Sequence, residues 1–249
     1  MRYLQNEKRK GLQMITTVMF DLDGTLLPLV QEEFVKVYFG ELCKKLAPLG
    51  YDPRQTVDAV WAGTRAMMKN DGSRPNTEIF WEVFRSMCAG LPDAKPLCDE
   101  FYTTEFNKAK CTLKYDVDRR PLIEKLKAAG LRLVLATNPL FPPDGMYTRM
   151  GWVGLRPEDF ELVTDYDNST FCKPNPEYYR EICNKIGVDP SECVMIGNNA
   201  VEDTAAAKLG IEVFMVPEFL ENPTGADYSS YPQGTLDDAA EFVLAKLTV

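Results

Sequence analysis

The stretch Met19-Phe20-Asp21-Leu22-Asp23-Gly24-Thr25-Leu26-Leu27 decides how the rest of the chain is read. The apolar, β-rich run from Ile15 to Phe20 stops on Asp21, and a glycine follows Asp23 at once. Such a run reads as a short buried strand. Two carboxylates placed two residues apart beyond its end can face one pocket. There they can supply a nucleophile, a proton carrier and a cation site together.

Working outward, strands and helices alternate beyond Val117. A helix over Arg120 to Ala129 ends at Gly130 and leads into the strand Leu131 to Ala136. Further strands are expected at Phe160 to Thr164, Cys193 to Ile196 and Ile211 to Val216, with helices at Pro176 to Ile186, Val201 to Leu209 and Leu236 to Leu247. Short apolar strands separated by helices imply parallel pairing with both sheet faces covered. The fold class is therefore α/β, a Rossmann-like parallel sheet of about five strands. In such sheets ligands bind outside the carboxyl ends of the strands.

Between the first strand and this alternating part the period changes. Phe34, Val37, Tyr38, Leu42 and Leu46 recur at threes and fours, and further helices are expected over Thr56 to Met68, Thr77 to Cys88 and Pro96 to Lys108. Breaks fall at Gly50-Tyr51-Asp52-Pro53, Asp71-Gly72-Ser73-Arg74-Pro75 and Gly90-Leu91-Pro92-Asp93, where turn and capping residues cluster. Residues 29–114 thus read as an all-helical insert, a cap, in a core made of residues 1–28 and 115–249. Its aromatics, Trp61, Phe80, Trp81, Phe84, Phe101 and Tyr102, have the spacing of core packing more than of a substrate pocket.

Composition bounds the function. A 249-residue chain that is 45% apolar and 26% charged can bury a core domain plus an insert. A net charge of −9 argues against nucleic acid and anionic membrane as partners, so a phosphorylated substrate needs a local cation. No apolar stretch approaches the ~18 residues of a membrane span, and the polar start Met1 to Lys10 lacks a signal-peptide core. The cytoplasm is the expected location. The seven cysteines are scattered without metal-site or disulfide spacing, which suits reduced thiols. The chain has no histidine, which removes Ser-His-Asp triads, Cys-His pairs and histidine-based zinc sites.

With each loop placed at its strand's carboxyl end, the polar residues converge. The first strand brings Asp21 and Asp23, the second Thr137 and Asn138, and the fourth Gly197, Asn198, Asn199, Glu202 and Asp203; Lys173 follows the third, just ahead of a helix. A carboxylate can attack phosphorus to give an aspartyl-phosphate, and a second carboxyl group can protonate the leaving oxygen. Phosphoryl transfer otherwise needs positioning and charge neutralisation, which suit a lysine, a hydroxyl and a magnesium ion. Asp21 and Asp203 are suited to bind that ion. Each piece also has an ordinary reading. Asp-Gly-Thr is common in turns, Asn138-Pro139 can start one, Asn198, Asn199, Glu202 and Asp203 can cap a helix, and most lysines are solvated. Cys172 beside Lys173 is better read as an inert thiol than as an activated one.

Taken in order, these segments resemble the four motifs of the haloacid dehalogenase-like hydrolase superfamily: Asp21-Leu22-Asp23-Gly24-Thr25, then Thr137, then Lys173 before a proline, then Gly197 to Asp203. The insert resembles that superfamily's cap of the first type. The resemblance implies strand order 5-4-1-2-3, with Asp21 as nucleophile and Mg2+ ligand and Asp23 as general acid/base touching the metal through its backbone carbonyl. It also implies that Thr137, Asn138 and Lys173 hold the phosphate and that Asp203 binds or orients the metal. Because Asp23 is present, the chain is more similar to the phosphatases than to the true dehalogenases, which implies hydrolysis of a small phosphate monoester. Related sequences usually carry an aspartate where Asn198 or Asn199 stands; an amide oxygen can ligate Mg2+ but adds no charge, so metal binding is expected either to be weaker or to lean on Asp203 and Glu202, and reduced or lost activity is one expected consequence. Two other functions fit the same residues: a phosphomutase, and a non-catalytic protein that binds a phosphorylated ligand. The sequence does not specify the ester or the oligomeric state.

Overall fold

Four strands buried along most or all of their length and one short edge strand carry the fold: β1 (Thr17–Phe20), β2 (Arg132–Leu135), β3 (Leu162–Val163), β4 (Cys193–Gly197) and β5 (Glu212–Met215). The structure is a computed structural model and describes residues 14–247. The polar leader before Met14 lies outside the described residues. All strand pairs are parallel and the order is β3-β2-β1-β4-β5, the expected order read from the other edge.

Register explains why the site forms. Phe20 pairs with Leu135 on one side and Ile196 on the other, so the three central strands end level. The ladder runs one residue further, with Asp21 N–H donating to Ile196 O (2.9 Å) and Ala136 N–H to Phe20 O (2.7 Å). Asp21, Thr137 and Gly197 thus share one edge. Along β1, Val18 and Phe20 enter a core shared with Leu133, Leu135 and Val243, while Met19 enters a second core with Tyr178, Ile182 and Met195. Both faces are covered, as parallel sheets require.

Helices α1 (Gln31–Leu46), α2 (Pro53–Met67), α3 (Asn76–Met87), α4 (Lys95–Thr103) and α5 (Arg120–Ala128) lie between β1 and β2. Asp52 starts α2 by accepting N–H groups from Arg54 and Gln55 (2.9 and 3.0 Å), a satisfied N-cap. Where Pro96 to Lys108 reads as one helix, α4 stops at Thr103 and Glu105–Thr112 continues as 3-10 turns. Thr104, with φ −121° and ψ −95°, is the break. Its neighbours Phe101 and Phe106 both turn into the core.

After β2 comes a helix that the sequence reading lacks, α6 (Pro143–Gly151). Pro142-Pro143-Asp144-Gly145 looks like a turn cluster, yet a proline at the first helical position is a normal start. α7 (Pro176–Ile186) and α8 (Leu236–Ala245) fall where expected, capped by Asn175 and by the Thr235/Asp238 capping box. The helix expected over Val201 to Leu209 is only a 3-10 segment, Thr204–Leu209. Asn199 Oδ1 takes the N–H groups of Val201 and Glu202 (3.0 and 2.9 Å), so the first turn is spent on the loop. No helix among the described residues is long and apolar enough to cross a membrane.

Candidate active site

At the carboxyl edge of the sheet, a buried amine organises the carboxylates. Lys173 is fully buried, and its Nζ donates to Asp21 Oδ1 (2.8 Å) and Asp203 Oδ1 (2.7 Å). Burial works against the charge on Lys173, but the facing Asp203 and Asp21 outweigh it and hold the amine well above its ordinary range. Burial pushes Asp21 up to about 7 against the pull of Lys173. Asp21 Oδ1 is thereby fixed, and among the described residues Oδ2 has no hydrogen-bond partner.

Asp203, expected as a metal ligand, is fully buried with both oxygens engaged: Oδ1 by Lys173, Oδ2 by Asn199 N–H (2.8 Å). It stands behind the pocket as the counter-charge of Lys173, and Lys173 likewise does not reach the pocket wall. A Cβ on Gly197 would fall 2.0 Å from Asp203 Oδ2. Since Asp203 is held at both oxygens, it has no room to yield. Gly197→Ala is expected to destabilise the protein by about 2 kcal/mol, read as a midpoint about 4 °C or more lower in a thermal melt.

The pocket in front is walled by Asp21, Asp23, Thr137, Asn138, Asn198 and Asn199 among others. Six of the eight site residues expected from the sequence therefore border it, and two stand behind. Thr137 is pinned through its carbonyl, which accepts the hydroxyls of Thr164 (2.8 Å) and Tyr178 (2.7 Å). No protein group among the described residues takes its own hydroxyl. Asn138 Nδ2 donates to Glu202 Oε1 (3.1 Å), and Asn138 Oδ1 is buried without a partner among the described residues.

The two asparagines of the fourth segment are structural as well as lining. Asn198 Oδ1 accepts the Thr25 hydroxyl (3.1 Å) and its Nδ2 donates to Phe219 O (2.6 Å). It lies so close over Gly24 that a Cβ there would sit 2.1 Å from Nδ2, and Gly24 has φ +76°, so this turn needs glycine. Asn199 Nδ2 donates to Glu221 Oε2 (3.1 Å).

Three wall or near-wall groups escape the sequence reading. Arg149 on α6 is fully buried, ion-paired with Asp23 Oδ2 and stacked 4.2 Å from the Phe141 ring centroid. An arginine in the last turn of a helix ordinarily reads as a surface charge complementing the helix dipole. Its one signal is the spacing from Met146, one turn earlier on a face that proves buried. Gln31 and Glu221 also border the pocket. The pairing with Arg149 leaves Asp23 Oδ1, which is buried with no partner among the described residues.

Glu202 also lines the pocket, and burial pushes it up to about 8. A carboxyl raised on folding binds its proton more tightly in the native state. Its contribution to stability is therefore complete below about pH 4.5 and is lost as pH rises through about 8. Glu202→Gln keeps an acceptor for Asn138 and stays neutral. Metal-free Glu202→Gln is expected to melt at least about 2 °C above the unsubstituted protein at pH 9, with the gap closing towards pH 5, as a pH series of thermal melts would check. Cys172, by contrast, is pushed up to about 12 by burial, the inert thiol of the sequence reading. All seven cysteines are free.

The insert's aromatics pack as expected, with Trp81, Phe84 and Phe101 in the core and Phe80 and Tyr102 against it, while Trp61 is 40% exposed; all but Phe101 also wall a cavity. Bulky rings carried by several different helices leave a gap that spacing along one helix cannot show.

Fold and cluster together define an α/β protein with a carboxylate-centred site at the sheet's carboxyl edge. A family model described as haloacid dehalogenase-like hydrolase matches residues 15–210, and the chain belongs to that family of hydrolases. It is 26% identical to N-acetylmuramic acid 6-phosphate phosphatase of Pseudomonas aeruginosa, over 86% of this chain and 89% of that one. It is 28% identical to pyrophosphatase PpaX of Bacillus velezensis, over 78% and 79%. A crystal structure of 2-haloacid dehalogenase from Pseudomonas syringae superposes with a TM-score of 0.58 at 22% identity, covering 94% of this chain and 99% of that one. That last likeness is one of fold.

Proposed function

We propose that the protein is a magnesium-dependent phosphatase that hydrolyses a small phosphate monoester through an aspartyl-phosphate, with residues 29–114 as the cap over a core of residues 1–28 and 115–249. The observation that carries the reading is the buried Lys173 amine between Asp21 and Asp203, which fixes one oxygen of Asp21 and leaves the other for attack. Curated relatives named as phosphatases support the choice of phosphate esters. A small phosphorylated partner and a cytoplasmic setting complete it, the free cysteines agreeing with reducing surroundings.

Asp21 Oδ2 attacks phosphorus in line, the bond from phosphorus to the ester oxygen breaks, and that oxygen takes a proton from Asp23 Oδ1. Asp23 then removes a proton from water, which attacks the same phosphorus and breaks its bond to Asp21. Phosphate leaves, and both carboxyl groups return to their starting states. Thr137 offers its unused hydroxyl to a phosphate oxygen beside Asn138, while the positive charge of Lys173 stands behind Asp21.

The residues fit magnesium, a hard cation that takes oxygen ligands and keeps waters and substrate phosphate in its shell. Asp21, the backbone carbonyl of Asp23 and the amide oxygen of Asn198 are the donors at hand, with Asn199 on the same wall and Asp203 behind it, while the orphaned Asp23 Oδ1 is left for the proton. Among the described residues no three His, Cys, Asp or Glu form a metal cluster, so these few donors match a shell completed by water and substrate. When bound, the ion would neutralise charge on the transferring phosphoryl group.

The test is hydrolysis of p-nitrophenyl phosphate by the purified protein with magnesium and with excess EDTA. Turnover that EDTA abolishes is the expected result. Binding of phosphate esters without release of phosphate under any metal condition would overturn the reading in favour of a phospho-ligand-binding protein.

A further inference from the structure

A second cavity adjoins the catalytic pocket, sharing Gln31, Leu140 and Phe141 with it as a common wall. It opens at its mouth, and the space among its walls, open solvent included, comes to about 740 Å³. Its remaining walls are mostly rings and aliphatic chains, among them Tyr38, Trp61, Phe80, Trp81, Tyr102 and Tyr166. Among the described residues no Asp, Glu, Lys or Arg borders it.

Most of its polar groups are already paired with each other, the Thr64 hydroxyl apart. The Tyr38 and Tyr102 hydroxyls lie 3.0 Å apart, and Trp81 Nε1 donates to the Tyr166 hydroxyl at 3.4 Å. Burial pushes the Tyr166 hydroxyl and the Cys98 thiol each up to about 12, so both are neutral at ordinary pH. Arg149 packs on the Phe141 ring but does not border the cavity, and its charge is spent on Asp23. The buried acceptor left over is Gln31, whose Oε1 has no partner among the described residues and lies in the wall between cavity and pocket.

A ligand anchored by phosphorus at Asp21 that extends past Gln31 and Phe141 comes among the rings, whereas the cleft that shares Gln31 and Glu221 with the pocket is bordered by Glu32 and Glu218. A carboxylate among the rings would find no cation, and a polyhydroxyl chain would bury hydroxyls with few partners, each at a cost. An aromatic body would gain its full burial and ring contacts. A single O–H or N–H near the ester would satisfy Gln31.

We infer that the leaving group of the ester is an uncharged aromatic alcohol, seated in this cavity, that presents one hydrogen-bond donor to Gln31. The inference rests on the phosphatase reading and adds to it the class of substrate.

The experiment compares kcat/KM of the magnesium-loaded protein for 2-phenylethyl phosphate, glycerol phosphate and phosphoglycolate. All three are primary alkyl esters, so intrinsic reactivity does not mask recognition. The aromatic ester is expected to lead by at least about tenfold. Val35→Trp, which fills the cavity from a half-buried wall position, is expected to bring the ratio of kcat/KM for the aromatic ester to that for glycerol phosphate down to about one. In parallel, binding of 2-phenylethylphosphonate is titrated by calorimetry. Equal or better turnover of glycerol phosphate or phosphoglycolate overturns the inference and leaves the phosphatase standing. Phosphonate binding that Val35→Trp weakens, with no ester hydrolysed, supports the cavity and overturns the phosphatase. Neither binding nor turnover overturns both.

Discussion

Lys173→Met is expected to lower stability by about 3–5 kcal/mol at pH 8, a fall of roughly 10 °C in melting midpoint, and to abolish measurable hydrolysis. The amine stands within 2.8 Å of Asp21 and 2.7 Å of Asp203, and both Lys173 and Asp203 are fully buried. A methionine fills much of the same volume, so the loss is one of charge rather than of packing. It leaves two carboxylates facing each other in low dielectric with no counter-charge. Truncating one partner of such a group costs far more than the group as a whole contributes.

The pH dependence follows from Asp21. Its carboxyl is already pushed up to about 7, so its stabilising contribution is complete below its unfolded value near 4 and disappears as pH rises through about 7. Without Lys173 the carboxyl rises further. The deficit of Lys173→Met is therefore largest at pH 8 and smaller at pH 5, where Asp21 takes up a proton. Thermal melts of the metal-free proteins at both values would show it. A midpoint at pH 8 within about 2 °C of the unsubstituted protein would rule out the buried ion triad.

What the sequence disclosed and what it hid divide along physical lines. Asp21, Thr137 and Gly197 were legible because a parallel sheet buried on both faces writes its strands as short apolar runs, and the residue after each run lies at the ligand edge. Strand order came from resemblance; no periodicity fixes it. Arg149 and Gln31 were hidden for a different reason. Each lies on a helix whose place against the sheet is a tertiary fact, and an arginine or glutamine on a helix is by default a surface residue. The same holds for the cavity. Helical spacing showed that Phe80 and Phe84 share a face of α3, but a void between faces of different helices has no period in the chain. The split of Asn198 and Asn199 between lining the pocket and bracing Thr25, Phe219 and Glu221 is likewise set by residues more than twenty positions away.

Asp21→Asn acts on the same triad with the opposite sign for stability, and this contrast separates chemistry from architecture. Hydrolysis should fall at least about 10³-fold, because an amide oxygen is a poor nucleophile and no other carboxylate at the sheet edge can replace it. Asp23 is held by Arg149, Asp203 has both oxygens engaged, and Glu202 lies beside Asn138. Yet the fold should not suffer. The amide introduced in place of the Asp21 carboxylate can still accept from Lys173, which then faces Asp203 alone as a neutral pair, and a carboxylate that burial penalises above pH 7 is gone. Metal-free Asp21→Asn is expected to melt at or above the unsubstituted protein at pH 8, the pattern of a site that gives up stability for function. Magnesium should reverse the ranking, since an ion that binds only the folded state raises the melting point by linkage and the variant lacks the charge to hold it. Melting curves of both proteins with and without magnesium, beside their turnover, would decide the matter. A variant that keeps its turnover removes Asp21 as nucleophile, and one that loses both turnover and fold makes Asp21 structural instead.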